Sequence, residues 1–175
     1  MIAVFGSINI DHVIDVDRLH RAGETLIGSD YRTRVGGKGA NQAIAASRCG
    51  AKVAFHGAVG MDDGGGRAKD ALENEGIAIG RVSSLEKCAT GAAYIYVDKE
   101  GENQIVVVPG ANGVARWEDT DAETRLLVMQ LEVPIAEVER AASLAKRKNL
   151  RSVLNTAQLT PLSDSLLRNA DGVLG

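Results

Sequence analysis

Three short stretches carry the side chains that could do chemistry. The segment Gly36-Gly37-Lys38-Gly39-Ala40-Asn41-Gln42-Ala43 places glycines, a lysine and an asparagine just before an alanine-rich run. Asn9 and Asp11 stand two apart after the apolar run Ile2 to Phe5, and Glu132 closes a second apolar run, Leu126 to Leu131. Lysine brings a mobile charge, an amide brings both donors and an acceptor, and a carboxylate accepts only. Glycines let the main chain come close to a bound molecule. A helix opening at such a loop points unpaired N–H groups and the positive end of its dipole into one space. These residues describe a cradle for a guest rich in oxygen. A glycine-rich turn that only joins a strand to a helix fits the same pattern.

The spacing excludes two common cradles. A P-loop needs Ser or Thr after Gly-Lys and a glycine five positions before, but Gly39 and Arg32 stand there. The Gly-x-Gly-x-x-Gly fingerprint of dinucleotide folds is absent, which argues against a nicotinamide-dependent dehydrogenase. Asp62 and Asp63 lack a third carboxylate nearby, so they read as acids at a helix start and not as metal ligands. His12 and His20 have no acid or nucleophile partner at useful spacing and read as structural or exposed.

The elements that must hold these groups alternate in type. Ile2 to Phe5, Lys52 to Val59, Leu126 to Leu131, Arg151 to Leu154 and Gly172 to Leu174 read as strands. Between them, helices are expected from the glycine loop to Gly50, over Arg67 to Glu75, from Pro134 to about Lys148 and over Ser163 to Arg168. That rhythm implies βαβ units and a parallel sheet. Asn9 and Asp11 would then lie past the carboxyl end of a central strand, on one side of an extended backbone, where open α/β sheets bind ligands. His12 to Val16 and Thr25 to Val35 read as strands of a small sheet outside the main one, and Ala92 to Val97 with Ile105 to Val108 reads as a hairpin, one face of which a partner chain could cover.

Composition narrows the class. Apolar residues make up 45% of the 175 but aromatics only 3%, an aliphatic bias that suits a buried parallel sheet. The net charge of −3 is well mixed, without a basic stripe or stacking aromatics for nucleic acid. Cys49 and Cys88 lack metal spacing and read as free thiols in a reducing compartment. With no signal-peptide pattern and no apolar run of membrane length, a soluble cytoplasmic protein is expected.

The motifs, taken in order, resemble a known family. Gly6-Ser7-Ile8-Asn9-Ile10-Asp11-His12, the glycine loop, Val59-Gly60-Met61-Asp62, Gly101-Glu102-Asn103, Gly110-Ala111-Asn112 and Met129-Gln130-Leu131-Glu132 are similar to the amino-terminal half of the ribokinase-like (PfkB-type) carbohydrate kinases. The resemblance implies a parallel sheet with helices on both faces, a three-layer αβα frame. It implies a small β lid from segments near 12–35 and 89–109 inserted in one kinase domain over 1–175, with the carboxyl-terminal part of the fold outside this chain. The implied sugar site is Asn9, Ile10, Asp11, Gly37, Lys38, Gly39, Ala40, Asn41, Ala93 and Glu132. The implied reaction is phosphorylation of D-ribose by ATP to ribose 5-phosphate, with Mg2+ and a monovalent cation such as K+, in a homodimer paired through the lid. Another sugar or a nucleoside is the alternative acceptor, and a short form that binds sugar without catalysis is the alternative role. The family's catalytic aspartate sits in a Gly-Ala-Gly-Asp motif, yet no Gly-x-Gly-Asp occurs in these residues. The base, the ATP segment and the cation sites are therefore expected beyond Gly175, in a longer kinase of which this is the amino-terminal portion.

Overall fold

A computed structural model describes residues 1–157 and 161–175. Its main sheet has six parallel strands in the order β10-β9-β8-β1-β4-β5. These are β1 (Ile2–Phe5), β4 (Val53–Gly60), β5 (Ala78–Leu85), β8 (Leu126–Gln130), β9 (Arg151–Asn155) and β10 (Gly172–Leu174). The short apolar run of β1 lies at the centre, in register with β4 on one side and β8 on the other. Helices α1 (Lys38–Arg48) and α2 (Asp63–Asn74) cover one face, and α3 (Ile135–Arg147) and α4 (Asp164–Asn169) the other. Three layers with helices on both faces agree with the sequence expectation.

Two apolar cores result. Val4, Phe55, Val59 and Leu72 pack with Ala40 and Ala43 of α1, whose small side chains bring that helix close to the sheet. On the opposite face Ala3, Phe5, Leu127, Met129 and Leu154 meet the stripe Val138, Ala141, Ala142 and Ala145 of α3. Each large side chain so buried contributes about 1.5–3 kcal/mol.

The second sheet is β3-β2-β6-β7, from β2 (Asn9–Asp15), β3 (Asp30–Gly36), β6 (Gly91–Val97) and β7 (Asn103–Val108). Strand β2 runs parallel to β6 and antiparallel to β3, and β7 completes the expected hairpin with β6. This sheet begins at Asn9, so Asn9 and Asp11 belong to it. The strand expected from Thr25 starts only at Asp30, because β2 ends at Asp15 and leaves residues 25–29 no ladder partner. Strand β5 has no counterpart in the sequence reading. Its residues Ala-Ile-Gly-Arg-Val-Ser-Ser-Leu lie on a sheet edge where only Val82 is buried, so no apolar run marks it.

Asp62 ties the two sheets together. Its carboxylate caps α2 through Gly65 N–H (2.8 Å) and accepts from the Thr90 hydroxyl (2.6 Å) and Thr90 N–H (2.8 Å), beside the start of β6. Burial alone would raise this carboxyl, but those donors hold it below its ordinary value. Asp62 is thus a helix-start acid that also anchors the lid. Asp62→Ala is expected to lower unfolding stability by about 1–2 kcal/mol, the scale of a lost cap with its charge-assisted bonds, as checked by urea denaturation.

Candidate functional site

The loops after β1 and β8 and the start of α1 meet at the carboxyl ends of the central strands. Glycine governs the meeting. Gly37, which precedes α1, has φ +91°, a left-handed conformation that side chains disfavour. A Cβ on Gly39 would stand 2.7 Å from the backbone of Gly6 and Ser7, so only glycine lets the helix start press against the end of β1.

The oxygen at that helix start comes from the protein itself. Glu132 accepts from Lys38 N–H (3.0 Å) and the Ser7 hydroxyl (2.6 Å), and it pairs with the Lys38 ammonium. Gly39 N–H points to Ser7 Oγ (3.4 Å) and Ala40 N–H donates to Ser7 O (3.0 Å). The unpaired N–H groups expected at this terminus are therefore taken, and Glu132 is the anion that satisfies the helix dipole. Burial pushes the Glu132 carboxyl up, but the Lys38 and Ser7 donors outweigh it and hold it below the ordinary carboxylate value.

Asn9 and Asp11 project from one face of β2 towards this group. Asp11 is buried, faces Arg34 of the neighbouring strand (3.5 Å) and has its carboxyl raised, first by burial and further by the charge of Glu132, against the lowering effect of Arg34. A Cβ on Gly36 would stand 2.2 Å from Asp11 Oδ2, so this carboxylate lies against the glycine turn that leads into α1. A cavity of about 280 Å³ opens beside them, bounded by Asn9, Asn112, Glu132 and Pro134 below and by Val107 and Pro109 from the lid side.

The ten expected site residues are not all brought together. Asn9 and Glu132 bound the cavity, Lys38 joins it through its pair with Glu132, and Asp11 lies against Gly36 just before α1. Ala93 lies beside Asp11 in the lid ladder, and Gly37 backs onto the N–H of Asn9. Asn41 is exposed in the first turn of α1. The structure sets three others away from the cavity lining. The Ile10 side chain lies on the opposite face of β2, in the α1–α2 core, because neighbouring residues of a strand alternate. Gly39 and Ala40 are fully enclosed against β1 and seat the helix, with their N–H groups directed to Ser7. Two residues escaped the reading. Ser7 carried no signal beyond its place in Gly6-Ser7, and Asn112 was visible only as part of the Gly110-Ala111-Asn112 triplet.

A parallel α/β sheet with a second, four-stranded sheet beside a polar cleft defines a small-molecule enzyme frame, and comparison with known proteins makes the class specific. Residues 1–173 match the family model described as pfkB family carbohydrate kinase, so the chain belongs to that family. It is 45% identical to a ribokinase of Haemophilus influenzae over 97% of its own length, and 34% identical to one of Bacillus subtilis. Its fold matches a ribokinase structure from Thermotoga maritima with TM-score 0.89 at 31% identity, covering 99% of this chain and 58% of that one. A structure of Arabidopsis thaliana ribokinase complexed with ribose and ATP matches with TM-score 0.87 at 28% identity, covering 98% of this chain and 58% of that one. The chain spans 58% of the Haemophilus relative and 59% of the Bacillus one.

Among the described residues no three His, Cys, Asp or Glu side chains come together as a metal site. The acids in and near the cleft already have partners: Asp11 with Arg34, Asp62 with Thr90, Glu132 with Lys38 and Ser7. No helix among the described residues is long and apolar enough to cross a membrane.

Proposed function

We propose that this chain forms the sugar-accepting half of an ATP-dependent kinase that converts D-ribose to ribose 5-phosphate. The observation that carries the reading is that Asn9 and Glu132, far apart in sequence, line one cleft, with Lys38 paired to Glu132 and the Asp11 carboxylate against Gly36 at the turn before α1. Acids and amides so placed recognise hydroxyl groups, and a guest lacking them would leave buried polar groups unpaired. The ribokinase relatives support ribose over other hydroxylated guests. In the reaction a sugar hydroxyl oxygen bonds to the γ-phosphorus, ADP leaves, and the hydroxyl proton passes to a base. That base, the nucleotide site and any cation site would lie outside these residues. The role of Asp11 and Glu132 is to hold the sugar, and lid closure keeps water from competing as acceptor.

Isothermal titration of the chain with D-ribose, a hexose, a nucleoside and ATP tests this directly. Saturable ribose binding that weakens about tenfold in Asp11→Asn is expected, the scale of one charge-assisted hydrogen bond. Preference for the nucleoside, or no ribose binding, would overturn the ribose assignment.

The lid also suits pairing of two subunits. Strand β7 is a sheet edge whose residues Ile105, Val106, Val107 and Val108 are 47–58% exposed on both faces. An apolar edge of this kind asks to be covered. A dimer in sedimentation velocity is expected, converted to monomer by Val106→Lys with Val107→Lys. A monomeric unmodified chain would defeat lid pairing.

A further inference from the structure

We propose that Asn112 is a positioning residue that sets the polarity Asn9 presents to the sugar. Asn112 sits in the 3-10 turn Gly110–Val114 and is 1% exposed. Its Oδ1 accepts from the N–H of Ile8 (2.9 Å) and its Nδ2 donates to the carbonyl of the same residue (2.9 Å). A backbone N–H can only donate and a carbonyl can only accept, so this pair fixes which end of the Asn112 amide is nitrogen. The remaining Nδ2 hydrogen goes to Asn9 Oδ1 (2.8 Å). Asn9 is thereby fixed in turn: its oxygen is spent on Asn112, which leaves the Nδ2 end as the one Asn9 can offer to the cavity it lines.

That polarity is what the other groups require. A hydroxyl carries one proton and two lone pairs. The carboxylates of Asp11 and Glu132 can only accept, so each consumes a hydroxyl proton. The lone pairs left over need a donor, and Asn9 supplies one only in the orientation that Asn112 enforces. The seat is built for this bond. A Cβ on Gly91, the first residue of β6, would collide with both Asn112 Nδ2 and Asn9 Oδ1. The turn is anchored to the segment before β6 through Ala111 N–H to Ala89 O (2.8 Å). The orientation chain thus runs from the β1–β2 junction through Asn112 to Asn9, across 104 residues of sequence.

The proposal rests on the sugar-site reading, and the experiment separates the two. In Asn112→Asp the shape is kept, but an oxygen replaces the nitrogen that faced Asn9. Asn9 would turn its amide over to donate to that carboxylate and would show its own oxygen to the cavity. D-ribose affinity by calorimetry is expected to fall at least tenfold, with the near-ultraviolet circular dichroism unchanged. Because a buried acid could hinder folding, the unmodified chain with 15N-labelled asparagine gives a second readout by nuclear magnetic resonance. The Asn112 side-chain N–H signals should exchange slowly with solvent, and ribose should shift the Asn9 side-chain N–H signals. Normal ribose affinity in folded Asn112→Asp, or Asn9 signals unmoved at ribose saturation, would overturn the proposal. Should the unmodified chain bind no ribose, the sugar-site reading fails alone; fast exchange of the Asn112 signals would then sink the amide chain as well.

Discussion

Glu132→Gln is expected to weaken D-ribose binding about thirtyfold, roughly 2 kcal/mol, and to lower unfolding stability by about 2 kcal/mol as well. Both effects have one origin. The Glu132 carboxylate takes the Lys38 N–H, the Lys38 ammonium and the Ser7 hydroxyl while bordering the cavity. Glutamine keeps the size but loses the charge, and its NH2 group cannot accept from Ser7 or Lys38. The Lys38 ammonium, about one-third exposed, would lose its counter-ion, which moderates the cost below that of a fully buried pair. Calorimetry for binding and urea denaturation for stability check the two numbers. Equal ribose affinity in both proteins would remove Glu132 from the sugar contacts, whereas unchanged stability would mean that the α1 start does not depend on its carboxylate. The native carboxyl is depressed, so its stabilising contribution is present above the unfolded carboxylate value and is lost as pH falls through the native one.

The second large effect comes from the centre of the main sheet. His56 on β4 is 1% exposed, stacked on Trp117 with ring centroids 4.7 Å apart, and its Nδ1 has no hydrogen-bond partner among the described residues. Burial, helped by the charge of Arg81, pushes its pKa down from 6.5 to about 4. The unfolded chain therefore takes up the proton before the folded one does. The stabilising difference is present in full above pH 6.5 and is lost as pH falls from there through about 4. The loss over that range is about 3 kcal/mol, of which about 2 kcal/mol falls between pH 7 and 5. His56→Phe keeps an aromatic ring against Trp117 and removes the titration. Urea denaturation at pH 7 and 5 should show the unmodified chain losing about 2 kcal/mol more than His56→Phe. Parallel pH profiles would show that His56 does not drive the acid sensitivity.

The two residues illustrate what could be read in advance. The frame was legible because its signals are local and strong. Ile2 to Phe5 and Leu126 to Leu131 are continuous apolar runs, which a parallel sheet buried on both faces demands. The alanine stripe of α3 and the glycine that ends α1 are equally local. Strand β5 was not legible, because an edge strand with one buried residue needs no apolar run. Its place follows from pairing with β4, a contact the local sequence does not encode.

Residue type and spacing alone determined that this chain is an α/β protein with oxygen-seeking groups at Asn9, Asp11, Lys38 and Glu132. Type sets what a group can donate or accept, and period sets which face it occupies. Only the tertiary structure decided how those capacities are spent. The N–H groups at the α1 terminus, which looked free for a guest, are satisfied by Glu132 and Ser7 from loops far apart in sequence. Ile10, flanked by two site residues, turns into the core, and Asn112 reaches back 103 residues to orient Asn9. A hydrogen bond is fixed by the position of both partners, and for distant partners that position exists only once the chain has folded.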